Sequence, residues 1–203
     1  VASLTPQLGD GKTGTYVSEK FPFAYDYADN DPDASPTGQA GSHGTHVAGI
    51  AAGNAGEIVG IAPDAQIIVA KDARSSNGGI PDSELLAALD DMVILHPDVV
   101  NLSLGQLGGM DNEADSVYAT VFKSLQDVGV TVNAAAGNHY TAGYGNTSGK
   151  NLPFASDPDS STQCEPATYS SVVSVASVDN SLAHSAFTVG DRDIPFQRAG
   201  GAD

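Results

Sequence analysis

The chain has 203 residues, enough for one globular domain with its own core and short of two. Eight Lys and Arg against 25 Asp and Glu leave a formal charge of −17, which repels phosphate backbones and anionic lipid and so argues against nucleic acid as a partner. An apolar share of 40% is too high for a disordered acidic tail, no apolar run is long enough to insert into a membrane, and the one cysteine, Cys164, excludes an internal disulfide or a zinc ribbon.

Residues 1–40 read as loop-like and acidic, with Asp26, Asp29, Asp31 and Asp33 clustered and one short apolar stretch, Phe21 to Tyr27, long enough for a strand. Ile67 to Lys71 is a continuous apolar run, as in a strand buried on both faces. A helix is expected over Asp82–Leu95. Leu85, Leu89, Met92 and Val93 share one face, Asp82 or Ser83 caps the start, and Pro97 prevents continuation. Val99–Leu104 reads as a strand, Glu113–Val128 as a helix stopped by Gly129, and Val130–Ala136 as a further strand. Residues 138–168 form a long Gly/Ser/Pro/Asp-rich stretch, followed by a strand at Val172–Val178 and a run-out after Ile194. Strands alternating with helices predict an α/β domain, a doubly wound and mostly parallel sheet with helices on both faces.

Three segments carry candidate chemistry. Ser42 to Ala52 holds His43 in a first helical turn and His46 three residues on, amid small residues that let a helix pack closely. A metal pair is disfavoured, because the spacing lacks the glutamate of a zincin and no third ligand lies nearby. A single general base and two satisfied core histidines both fit. Asn101 to Gly105 is a strand opening into a Gly-rich loop. Ser103 is a nucleophile only in principle, since it is not on a Gly-x-Ser-x-Gly elbow, and an ordinary strand end or a backbone edge for an extended peptide fits as well. Asn133 to Asn138 ends a strand in small residues, then a glycine, then an amide. Either a turn asparagine or a neutral donor to a developing oxyanion fits.

Taken together, in this order, these segments resemble the subtilisin-like serine peptidases. His-Gly-Thr-His-Val-Ala-Gly (43–49) is similar to the block around their catalytic histidine, Gly60 to Ala65 to the turn that follows, and Val100 to Gly105 to the substrate-binding strand. Ala134 to Asn138 resembles the oxyanion-hole block, and Ser171 to Val178 the strand after it. Pro22 to Asp29 further resembles the cell-envelope branch, the lactocepin and C5a-peptidase-like enzymes. The resemblance implies His43 as general base and then acid, and Asn138 as oxyanion donor. It implies Ser103, Leu104 and Gly105 with Ala135, Ala136 and Gly137 flanking the side chain before the scissile bond, and Gly78 and Gly79 as the other edge of an extended polypeptide substrate. His46 is expected to be packed inside, and relatives place a cis proline in the region of Pro166.

Two family blocks are missing. No apolar strand ending in Asp-Thr/Ser-Gly precedes His43, and no Gly-Thr-Ser-Met-Ala follows; Gly145-Asn-Thr-Ser148 lacks everything after the serine. The expectation is therefore a partial catalytic domain over 1–194, with 195–203 leading towards an inserted protease-associated domain of a secreted or cell-envelope peptidase. Such a piece should be inactive alone, with exposed core faces covered by self-association or by a complementing chain. No cofactor is assigned: Gly53 to Gly60 is short for a calcium loop, and the acidic loop 26–33, which could bind a cation such as calcium, reads rather as solvated. The alternative function is a pseudo-peptidase, a non-catalytic peptide-binding module. A nucleotide-binding domain ranks below both, since no Gly-x-Gly-x-x-Gly or P-loop lysine is present.

Overall fold

The computed structural model describes residues 8–36, 42–107, 116–138, 163–176, 187–189 and 192–194. In chain order the elements are β1 (Phe23–Asp26), α1 (His43–Ala52), β2 (Asn54–Ala55), β3 (Ile58–Val59), β4 (Ile68–Lys71), α2 (Asp82–Leu95), β5 (Val99–Leu102), β6 (Gln106–Leu107), α3 (Val117–Asp127), β7 (Thr131–Ala135), β8 (Cys164–Glu165), β9 (Val173–Val175), β10 (Phe187–Val189) and β11 (Arg192–Ile194). The chain forms two compact units, Val1–Ser103 with Ser116–Thr131, and Leu104–Asp115 with Val132–Asp203. The readings on residues 139–162, on 113–115 and on 195–203 lie outside the described residues.

In the first unit β1 and β4 pair in parallel, Phe23 opposite Ile68 through Asp26 opposite Lys71. Parallel neighbours need a crossover, and here it carries α1 and the β2–β3 hairpin, which turns at Gly56 in the left-handed region (φ 59°). The strand predicted over Ile67–Lys71 is half-buried along its length rather than buried on both faces. β1 is buried throughout, and Phe23 is among the largest fully enclosed side chains.

α2 and α3 pack against each other in this unit. Leu85, Ala88, Leu89, Met92 and Leu95 are buried along α2, and Phe122 and Leu125 are fully enclosed on α3. Tyr118 stacks on Phe122 at 5.9 Å, and its hydroxyl donates to Asp82 Oδ1 at 2.9 Å. That bond corrects the expected cap: Pro81 holds the N-cap position in extended geometry, no side chain caps the helix, and Asp82 faces α3 instead. Asp82 and Glu84 still place negative charge in the first turn, where the helix dipole favours it. α2 ends at His96, left-handed at φ 53°, with its ring Nε2 2.7 Å from the Val128 carbonyl. α3 begins at Val117, with Ser116 extended at its N-cap. It stops at Gly129, whose φ of 87° excludes a β-branched residue.

In the second unit β7 and β9 pair in parallel, with Asn133 opposite Val173 and Ala135 opposite Val175. β6 and β8 pair antiparallel, and so do β10 and β11. Parallel strands with helices make this an α/β fold, as the alternation of elements predicts.

Candidate active site

His43 is the first residue of α1, and its side chain is exposed. The helix after it, Gly-Thr-His-Val-Ala-Gly-Ile-Ala-Ala, has little apolar volume, and only Ala52 is buried. His46 is exposed too, which corrects its expected place inside: a stripe of glycine and alanine offers no bulky neighbours to enclose an imidazole. Behind the helix, Ile61 and Ala62 return their amides to the Ile50 and Ala51 carbonyls. A Cβ on Gly60 would lie 2.6 Å from the Ala52 and Gly53 amide nitrogens, so the return is as close as backbone allows. Among the described residues no group of three or more His, Cys, Asp or Glu is arranged to hold a metal ion.

Gly78 and Gly79 lie in the turn after β4. The Arg74 amide donates to the Gly79 carbonyl at 3.0 Å and the Gly78 amide to the Arg74 carbonyl at 2.8 Å, with Gly78 at φ 71°. The Asn77 side chain accepts from the Gly79 amide at 2.9 Å. An electrostatic cluster fixes the base of this turn. Lys71 pairs with buried Asp26, reaches Asp29 at 3.6 Å and donates to Ser75 Oγ at 2.8 Å, while the Ser75 amide donates to Asp29 Oδ2 at 2.9 Å. The Ser75 hydrogen bonds hold the Asp29 carboxyl below its usual range. Burial opposes the charge on Lys71, yet its bonds to Asp26 and Asp29 hold its ammonium above the ordinary lysine value. Asp26 therefore corrects the reading of 26–33 as a solvated loop: it ends a buried strand and is ion-paired, whereas Asp29, Asp31 and Asp33 are exposed.

Ser103 follows the end of β5 and is half-buried, its hydroxyl accepting from Asn101 Nδ2 at 3.0 Å. The strand predicted over Val99–Leu104 stops at Leu102, so Ser103, Leu104 and Gly105 are free of regular pairing.

The second unit brings several of the remaining candidates together around Cys164. Ala136 donates its amide to the Val175 carbonyl and accepts from the Cys164 amide, both at 2.9 Å. A Cβ on Gly137, itself at φ 108°, would lie 2.4 Å from Cys164 Sγ, and one on Gly105 would lie 3.1 Å from Cys164 Cβ and 2.6 Å from the Glu165 carbonyl oxygen. Both positions therefore favour glycine: the buried thiol fills the space beside Gly137, and the Glu165 carbonyl and Cys164 Cβ fill that beside Gly105. Burial pushes that thiol up from its ordinary value. Ala135 and Ala136 are half-buried and Asn138 is exposed. The Glu165–Pro166 peptide is cis, where relatives were expected to carry one. Glu165 accepts from Tyr169 Oη at 2.8 Å and from Gln106 Nε2 at 3.2 Å. Neither the buttressing role of Cys164 nor the Asp26–Lys71 pair was read from sequence. A strand-end lysine and a strand-end aspartate in two apolar runs were the available signal for the second.

A profile of the subtilase family matches residues 8–198. The chain belongs to the subtilase family. It is 32% identical over 180 residues to the PI-type proteinase of Lactococcus lactis subsp. cremoris, an alignment covering 83% of this chain and 9% of that protein. It is 37% identical over 131 residues to the minor extracellular protease Vpr of Bacillus subtilis, covering 61% of this chain and 16% of that one. The chain thus spans about a tenth of the length of the lactococcal relatives it matches. A solved mutant of the protease domain of PatA superimposes with a TM-score of 0.56 at 23% identity, over 73% of this chain and 47% of that one, which shows the subtilisin-like fold.

Proposed function

We propose that this subtilase chain is part of a longer, secreted or cell-envelope bacterial serine endopeptidase that hydrolyses peptide bonds through an acyl-enzyme. His43 takes the proton from a serine supplied by the longer protein and returns it to the leaving amine. Asn138 donates its amide hydrogen to the oxyanion, which it stabilises without titrating. Gly78 and Gly79, Ser103 to Gly105, and Ala135 to Gly137 hold an extended polypeptide by its backbone. Residues 1–194 are then the partial catalytic domain, and 195–203 lead to an inserted domain. The observation that carries the reading is the family match across 8–198, with His43 exposed at a helix start and Asn138 exposed just past a strand end.

The proposal includes a covering partner, either a second copy or a complementing chain. In the first unit Ile50, Ile58, Val59 and Ile61 are exposed, and in the second Val173 and Val175. A serine-directed organophosphonate probe tests the catalytic part. The 203-residue chain is expected to take no label and the full-length protein to be labelled. A full-length protein that binds peptide but resists the probe would favour the pseudo-peptidase. Light scattering tests the partner: a monodisperse monomer at high concentration removes self-association.

A further inference from the structure

Asp72 is the first residue after β4 and the first of the connection to α2. Its Oδ1 is sealed from water and has no hydrogen-bond donor. The groups around it come from every neighbouring element. The Asp26 carboxylate at the end of β1 and Glu84 in the first turn of α2 lie within electrostatic reach, as does Tyr27 just after β1; Lys71, the residue before it, is engaged by Asp26, Asp29 and Ser75, and Glu84 is held by Arg74 at 3.4 Å. Both basic side chains of the cluster are thus committed to other carboxylates. A buried oxygen without a donor is tolerable in a neutral acid and costly in a carboxylate, all the more beside Asp26 and Glu84.

We propose that Asp72 is a pH-operated latch on the 74–79 turn. As a neutral acid it lets the turn close on the end of β4; as a carboxylate it draws the start of the turn outward to reach water, which loosens the bonds between Arg74, Gly78 and Gly79. Burial, reinforced by the Asp26 and Glu84 charges, lifts its carboxyl to about 7, so the latch works around neutrality. The turn carries Gly78 and Gly79, but the latch does not depend on their holding substrate. Its failure and the failure of the peptidase reading are seen in different experiments.

Hydrogen exchange on the 203-residue chain between pH 5.5 and 8.5, corrected for intrinsic rates, is the test. Relative to the Val130 amide, which is bonded to the Leu125 carbonyl in the same unit, protection of the Arg74 and Gly78 amides is expected to fall by about tenfold or more as pH rises, and Asp72→Asn is expected to abolish the fall. Protection independent of pH, or an equal fall in Asp72→Asn, overturns the proposal. If that variant does not fold, carbon-13 titration of the wild-type Asp72 carboxyl decides: a midpoint near 7 that tracks the loss of protection supports the latch, and a midpoint near 4 overturns it.

Discussion

Helices α1 and α2, in the same unit, are built on opposite plans. α2 packs against α3 and buries Leu85, Leu89, Met92 and Leu95, as α3 buries Phe122 and Leu125. α1 is glycine, alanine and two histidines, buries only Ala52, and leaves Ile50 exposed beside Ile58, Val59 and Ile61. A helix of bulky residues makes its own core with one neighbour. A helix of small residues suits close approach by other backbone, and among the described residues its neighbour is the short β3 strand. The contrast teaches that packing and function are divided here: α2 and α3 hold the unit together, while α1 presents the catalytic candidate.

Substitutions sharpen this contrast. Phe122→Ala should cost about 3–5 kcal/mol by chemical denaturation, since the ring is fully enclosed. Next in size is a pH effect confined to the β4–α2 connection. Folded Asp72 holds its proton up to about 7 against an ordinary 3.8, so the folded state binds more protons between those values. Stability is therefore expected to fall as pH rises through that window, by up to a few kcal/mol, and Asp72→Asn should flatten the profile. Gly60→Ala should destabilise by about 1–3 kcal/mol, because its new methyl group meets backbone nitrogens that cannot rotate away. Ile61→Ser, at a side chain 91% exposed, should shift the stability of this chain by no more than about 0.5 kcal/mol. A much larger cost in a self-associated form would locate the covering surface on α1 and its hairpin.

The same division decides what was legible beforehand. α2 was readable in extent, because an apolar stripe and a following proline agree, although the expected Asp82 or Ser83 cap is not formed. β4, β7 and β9 were readable as strands, with described ends overrun by one residue where apolar residues continue past the last pairing. Two kinds of feature were not readable. One is the degree of burial, which hydrophobic pattern alone does not set: His46 lies exposed on a stripe of glycine and alanine, and β4 is half-buried despite its apolar run. The other is long-range pairing: Asp26 looked like part of an acidic loop because Lys71, 45 residues on, is what makes its burial tolerable. Among the site residues, Gly137 takes a φ of 108°, which favours glycine. The structure adds a steric reason, since any Cβ there would meet the Cys164 thiol.

The most direct measurement is the kcat of the full-length protein on an extended peptide, with and without His43→Ala. The account expects a loss of about 10²–10⁴-fold from removing a general base whose exposed ring contributes nothing to the described core. A variant that folds, binds the peptide and turns it over at the wild-type rate would contradict it.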